Sequence, residues 1–399
     1  MTASLPLGFS ASGVTCGIKA SGKSDLALFV SDRPASAAGV FTTNKVCGAP
    51  VIVSRRRVPS SSARAVVINS GNSNAATGDP GIRNAESMTA LTAAKLGCDP
   101  SDVLVCSTGV IGVPLPMTLL ETGIPAAVKE LGRSDQHLLE AAVAMMTTDT
   151  VPKLISVDVP ASGGTIRVAG VCKGAAMIAP NMATMLGVVL TDAKLSPDQC
   201  SQILNQAVAE TFNCISVDGH MSTSDTVLML AGGALDFTLA ESDLVAIAAA
   251  VTQVCRHLAT SIIRDAEGAE HFITIDVKGL ASRSDAFRMA KHIADSPLVK
   301  TAIAGADPNW GRIVSAAGYA GVDFDPAFVS LHINGTQVYK AGTPVPFDAT
   351  ALSNSIKYNR DVLLELAVAG GPLAGHQSVR FWTSDLTAEY VRLNSEYTT

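Results

Sequence analysis

The segment "KGAAMIAPNMATMLGVVLTD", Lys173 to Asp192, carries charge only at its two ends. A run this apolar near the middle of a chain belongs in the interior, and a strand buried on both faces needs a layer of structure on each side. The chain has the length to supply those layers: its 399 residues exceed the ~250–300 at which one core stops growing, so two or more units are expected. With 47% hydrophobic residues, only 16% charged and 33 glycines, it suits closely packed layers of small residues. A formal charge of −6, and no basic block longer than Arg55–Arg57, leave no obvious basic surface for nucleic acid or anionic lipid. The first residues form neither a signal nor a transit pattern, and no apolar run reaches the ~18 residues of a membrane span, so a cytoplasmic enzyme without membrane or nucleic-acid partners is expected. Eight cysteines without a C-x-x-C pair read as reduced and mostly buried.

Strands are expected at 25–32, 38–44, 50–55 and 63–71, separated by Gly, Pro, Asn and Ser. Helical periodicity follows at about 82–96, ended by Gly97, then at 117–131 and 135–147. A hairpin turns at Ser162–Gly164. Beyond it come a strand at 185–190, a helix capped by Ser196 with Pro197 at its first position, the strand "TVLMLAGG", and a helix over about 242–263. A strand at 271–279, a helix near 284–294 and a hairpin with Asn334–Gly335 in a type I′ turn complete the reading. Without regular β-α-β spacing, this favours an α+β fold of stacked sheets covered by helices over a doubly wound parallel sheet.

"GIKASGKS", residues 17–24, matches the letters of a phosphate-binding loop. That loop works because a buried strand delivers it and a helix N-terminus receives the phosphates. Here the preceding residues are polar and the following "DLALFVSD" reads as a strand, so a nucleotide binder is disfavoured. No G-x-S-x-G occurs, and seven histidines show no metal-binding or triad spacing, so neither a serine hydrolase elbow nor a metal centre is indicated.

Thr184 stands in the uncharged segment with no histidine or carboxylate within seven residues. If the Ala183–Thr184 bond is cut, the residue gains its own base: an α-amine of pKa about 7.7–8.0, roughly a third neutral near pH 7.5. Threonine nucleophiles at a new N-terminus are an established variant of triad logic. The cut itself follows if the Thr184 hydroxyl attacks the Ala183 carbonyl to give an ester that water opens. The other reading is a threonine simply buried in a strand.

"AAGVFTTNKV", "INSGNSNAATG", "STGVIG", "TTDTVPK", "KGAAMIAPNMATMLGVVLTD", "GADPNWGRI" and "DLTAEYVRLNSEYTT" occur in that order. With them the chain resembles the ornithine acetyltransferases, the glutamate N-acetyltransferases of arginine biosynthesis. The match runs from "GVTCGIKASGKSDLALFVSD" to the last residue. The resemblance implies an αββα-like sandwich of the aminopeptidase and ornithine acetyltransferase type, with a smaller C-terminal α/β region. It also implies self-cleavage before the threonine of A-T-M-L, giving an α chain 1–183 and a β chain 184–399 that associate as (αβ)2 or larger. In the implied ping-pong reaction Thr184 takes acetyl from N-acetylornithine, releases ornithine and passes the acetyl to glutamate. No cofactor or metal is expected; acetyl-CoA as a second donor stays open.

By the same resemblance, the Thr108 hydroxyl and Gly109 amide are the oxyanion donors. Thr150, Lys173, Thr184, Glu267, Asn394 and Thr399 take the substrate-binding positions. A cation for carboxylate, an anion for ammonium, and hydroxyls and amides to orient both suit a zwitterionic amino acid. The chain departs from the family where "DGHMSTSD" has His220 for an acid and Ser224 for asparagine, and where "DAEGAEHF" has Ala266, Glu270 and His271, losing a lysine beside Glu267. These departures put acceptor preference and rate in question. A self-processed amide hydrolase or aminopeptidase would share the cut and differ in using water as acceptor.

Overall fold

The computed structural model describes residues 3–179, 185–235 and 237–396. It divides into two compact units, one of residues up to Asn213 with Met221–Ile262, the other of Cys214–His220 with Ile263 onward. In the first lie β1 (Phe9–Val14), β2 (Leu26–Phe41), α1 (Ala49–Arg55), β3 (Ser60–Asn72), α2 (Gly78–Leu96), β4 (Val103–Val110), α3 (Met117–Lys129) and α4 (Asp135–Met145). The same unit continues with β5 (Lys153–Ala161), β6 (Gly164–Lys173), β7 (Leu186–Thr191) and α5 (Pro197–Glu210). After β8 (Ile215–Ser216), which belongs to the second unit, come β9 (Thr226–Ala231) and α6 (Glu241–Arg264).

The strands of the first unit form one sheet in the order β4-β3-β2-β9-β7-β6-β5, with β1 paired to β2. The two stretches expected at 25–32 and 38–44 are a single strand, β2, whose pairing with β3 is interrupted between Val30 and Ala35. Asp32, Arg33 and Pro34 are exposed at the break, where proline has no N–H to give a neighbour. The sheet folds over at this point. Lys173 on β6 hydrogen-bonds Thr108 on β4 with four strands between them in the order, whereas a flat sheet would hold those strands about 24 Å apart.

Alternation along the strands then assigns the faces. Ala27, Phe29, Val66, Ile68, Leu104 and Cys106 from one layer share a buried cluster with Val171, Leu186, Val188, Leu190, Leu228 and Leu230 from the other. The small residues Ala141, Ala142 and Ala144 of α4 fit into the same interior. On the outer side of the first layer, Leu26, Leu28, Val67 and Val105 meet Met88 of α2 and Leu120 and Ile124 of α3. Over the second layer lies α6, whose Ile247, Val251, Val254, Leu258 and Ile262 are all buried; Cys172 Sγ reaches the Leu258 carbonyl at 3.7 Å. Layers of helix, strand, strand and helix result. By length and composition α6 could cross a bilayer, but its apolar stripe is committed to the sheet.

The stretch expected as a strand at 50–55 is the helix α1. Four apolar residues in a row fit either period, and Pro50 in the first turn decides for the helix by presetting its φ and removing an N–H that would be unpaired anyway. Ser54 then pins α1 to β4, donating to the Val105 carbonyl at 2.7 Å and accepting from the Val105 amide at 2.8 Å. Elsewhere the local signals hold. Ser196 and Gln199 form a reciprocal capping box at the start of α5, and Ala161 pairs with Gly164 across the β5–β6 turn. All eight cysteines are free thiols.

The second unit contains β8 and β10 (Phe272–Leu280), α7 (Arg283–Asp295), α8 (Pro297–Ala304), α9 (Trp310–Gly318), β11 (Val329–Ile333) and β12 (Thr336–Lys340). It ends with β13 (Thr343–Pro344), α10 (Ala349–Lys357), β14 (Asp361–Val368), β15 (Ala374–Ser384) and α11 (Ala388–Glu396). Its sheet runs β13-β12-β11-β14-β10-β15-β8. Asn334 and Gly335 have φ of 48° and 79°, the two positive values that a type I′ hairpin requires. A mixed α+β fold is therefore present in both units.

Candidate active site

On β4, Leu104, Cys106 and Thr108 point to the same inner face; on β6, Val171 and Lys173 do. Parity and the folded sheet bring the last residue of each series together. Lys173, 2% exposed, donates from Nζ to Thr108 Oγ1 at 3.1 Å, and Thr108 is 2% exposed. An ammonium donating to the hydroxyl oxygen leaves the hydroxyl proton for a second acceptor. Gly109 follows, partly exposed, at φ 131°, and a Cβ there would stand 2.3 Å from the Gly71 carbonyl carbon. Only glycine permits β3 and β4 to approach so closely at this end.

Asp149 anchors the other side of Lys173. Its Oδ1 accepts from Lys153 Nζ and from the Gly174 amide, each at 2.6 Å, and Oδ2 accepts from the Thr147 amide at 3.0 Å. The Asp149 and Lys153 side chains are 0% and 1% exposed. Burial alone would push the Asp149 carboxyl up, but Lys153, Lys173 and the Gly174 N–H outweigh it and hold it below the ordinary carboxylate range. Thr150, next in the chain, is exposed. The sequence points to Thr150 in "TTDTVPK" and gives no sign of Asp149 and Lys153, because a charged pair four residues apart reads as a surface pair until burial is known.

Ala183, Thr184 and Thr399 lie outside the described residues. The residue after Thr184 is placed: Met185, 1% exposed, donates its amide to Asp225 Oδ1 at 3.1 Å and accepts from the Thr226 amide at 3.1 Å.

In the second unit Glu267 and Asn394 meet, Asn394 Nδ2 donating to Glu267 Oε2 at 3.1 Å. Gly268 allows this. Its φ is 66° and a Cβ would come within 2.4 Å of the Tyr390 amide nitrogen, so α11 rests directly on the 267–268 turn, where Thr387 Oγ1 donates to the Gly268 carbonyl at 2.6 Å. His271 is 7% exposed; its Nδ1 faces Asp385 Oδ2 at 2.7 Å and its Nε2 the Ile356 carbonyl at 3.2 Å. A carboxylate and a carbonyl oxygen face the two ring nitrogens, an environment that favours the protonated ring. Its hydrogen bond to Asp385 raises its pKa. His220 is exposed, its amide bonded to Asp218 Oδ1 at 3.1 Å, and Ser224 is buried beside Thr223.

The "GIKASGKS" loop runs into β2 and offers no helix N-terminus. Its amides are already used: Asp25, 0% exposed, accepts from the backbone N–H of Cys16, Gly17, Ile18 and Lys19 at 2.7, 3.0, 2.6 and 3.0 Å. A phosphate has no place there.

The profile of the ArgJ family matches residues 10–399. The "Arginine biosynthesis bifunctional protein ArgJ" of Rhodopirellula baltica is 51% identical over 99% of this chain and 96% of its own. The protein of the same name from Geobacter sulfurreducens is 44% identical over 98% and 99%. Among solved structures, the ArgJ protein of Bacillus halodurans is 36% identical with a TM-score of 0.50, covering 53% of this chain and 98% of that one. The ornithine acetyltransferase of Mycobacterium tuberculosis, solved complexed with ornithine, is 40% identical with a TM-score of 0.40, covering 44% and 92%. On the family match across nearly its whole length, and on relatives of this identity, the chain belongs to the ArgJ family.

Proposed function

We propose that this chain is a self-processing acetyltransferase of arginine biosynthesis, working in the cytoplasm on N-acetylornithine and glutamate through an acetyl ester on Thr184. Processing divides it into residues 1–183 and 184–399. The new α-amine of Thr184 takes the proton of its own hydroxyl, and Oγ1 bonds to the acetyl carbon of N-acetylornithine. The carbon–nitrogen bond then breaks and ornithine leaves with the proton; the amine of glutamate attacks the ester, the bond from the acetyl carbon to Oγ1 breaks, and the proton shed by that amine returns to Thr184 as N-acetylglutamate leaves. No metal or cofactor enters these steps.

The observation that carries the reading is the Lys173–Thr108 pair with Gly109 next to it. It supplies a hydroxyl proton and a backbone amide for an oxyanion, at the end of the strand from which the chain leads to Thr184. Lys173, Thr150, Glu267, Asn394 and Thr399 are assigned to the amino-acid substrate. The coverage of the Bacillus halodurans structure supports the cut, since nearly all of that chain matches about half of this one. The relatives' names carry the word "bifunctional", which is compatible with acetyl-CoA as a second donor.

Mass spectrometry of the purified, denatured protein tests the reading. From 41.0 kDa, division by length gives fragments of about 19 and 22 kDa, the larger beginning at Thr184 and gaining one acetyl group with N-acetylornithine. An intact chain after long incubation, or release of free acetate with no acetylation of glutamate, would overturn it.

A further inference from the structure

The amides of residues 16–19 are committed to Asp25, but the same turn carries a side chain that the site described so far does not use. Lys19 is half-buried, and its stem lies on Gly71: a Cβ there would stand 3.0 Å from Lys19 Cγ and 3.5 Å from its amide nitrogen. Gly71 is the register partner of Gly109, as Ser70 is of Thr108, and neighbouring strands lie about 4.8 Å apart. Lys19 therefore sits one strand away from the proposed oxyanion donors, all of them in the first unit. Gly71, at φ 98°, brings it there, since any side chain at that position would crowd the lysine stem.

The Lys19 Nζ donates to the Ser24 carbonyl at 2.6 Å, which uses one of the three N–H groups of an ammonium. The carboxylates whose field reaches it are those of Asp25 and Asp149, and the lysines Lys173 and Lys23 act against them. Both carboxylates have ligands of their own, Asp25 the four amides and Asp149 the Lys153 ammonium with the Gly174 and Thr147 amides. Burial outweighs their attraction and pushes the Lys19 ammonium down to about 8. A carboxylate brought to it would supply the counter-charge that burial makes valuable.

The two amino acids of the proposed reaction differ in this respect. Both have an α-carboxylate, to which Lys173 is suited, but the side chain of ornithine ends in an ammonium and that of glutamate in a second carboxylate. We propose that Lys19 is a specificity residue for the acceptor, its ammonium binding the side-chain carboxylate of glutamate beside the Thr108–Gly109 end of the site. The inference rests on the reading of this chain as an acetyltransferase that uses glutamate. Toward the ammonium of ornithine the same charge is repulsive, which favours departure of the first product before the acceptor enters.

Lys19→Met keeps the backbone amide that binds Asp25 and the stem on Gly71, and removes the charge. In a ping-pong reaction kcat/KM for each substrate reports its own half-reaction. The value for glutamate should fall at least ~10-fold, the scale of one hydrogen bond to a charged group, with no matching fall for N-acetylornithine. Lys19→Arg should restore part of the loss. Equal falls for both substrates, or none for glutamate, would overturn the proposal. A second measurement uses the wild-type protein: labelling of Lys19 by an amine-directed acylating reagent near pH 8, located by mass spectrometry after digestion. An ammonium pushed down to about 8 is partly neutral there and reacts ahead of ordinary lysines at ~10.4. Glutamate should protect Lys19, and norvaline, an amino acid of similar size without the side-chain carboxylate, should not; equal protection by both, or protection by neither, would overturn the proposal. A wild-type protein that acetylates no glutamate at all would instead defeat the underlying reading, so the two failures are distinct.

Discussion

Lys173 Nζ lies 3.1 Å from Thr108 Oγ1, although four strands separate β6 from β4 in the sheet. The contact exists because β2 bends, and it sets a proposed substrate-binding residue against a proposed oxyanion donor. Thr108→Ala should lower kcat by ~10²–10³, while Thr108→Ser, which keeps the hydroxyl, should retain most of it. Steady-state acetyl transfer measures both. Adding a Lys173→Met change should cost less than the product of the single effects, because the two groups share one hydrogen bond.

Asp149 and Lys153 form a buried pair that also ties down the Gly174 and Thr147 amides. Asp149→Ala should destabilise the first unit by about 3–5 kcal/mol, since it takes the counter-charge from a buried ammonium. Combining Asp149→Leu with Lys153→Met removes both charges but still orphans the two amides. Urea denaturation should therefore show partial recovery for the double variant, and complete recovery would mean that the amides contribute nothing.

His271 gives the second unit a pH dependence of definite sign. Its pKa is raised in the folded state by Asp385, so the pair's contribution is complete below the unfolded value of about 6.5 and is lost as pH rises through the higher folded value. The stability difference between wild type and His271→Ala should be largest below about pH 6.5 and shrink as the pH rises above it. His271→Lys, with a pKa near 10.4, should carry the stabilisation further into alkaline conditions.

A cut at Ala183–Thr184 would not release its products. Strands β7 and β9 lie between β2 on one side and β6 on the other, with register pairs from Val168–Thr191 to Lys173–Leu186 along one ladder and from Ser36–Ala231 to Phe41–Thr226 along the other. The later fragment is hydrogen-bonded to the earlier one along both edges. Native size-exclusion chromatography should give a single species containing both fragments, and only denaturant should part them.

Elements specified by nearby residues were legible in the sequence. The α5 cap needs only Ser196, Pro197 and Gln199, and the β11–β12 turn only Asn334 and Gly335. The helix α1 was misread because its apolar run is too short to display a period, and β2 was read as two strands because the exposed Asp32–Pro34 bend resembles a loop. For the site, resemblance supplied Thr108, Lys173, Glu267 and Asn394, which the fold holds in two pairs. Asp149, Lys153 and Asp225 went unread for a physical reason: whether a charged residue is buried depends on residues far along the chain.

The Asp25 loop shows what becomes of a phosphate motif when its ligand is built in. Four amides converge on one carboxylate, and that carboxylate is attached to the same short loop. Its effective concentration is set by the tether and not by the solution, commonly in the millimolar range or above for so short a connection. A dissolved anion must compete against that occupant and also leave the aspartate without partners in the interior. The letters of nucleotide recognition here spell a self-liganded turn, which fixes the start of β2 at any phosphate level the cell maintains.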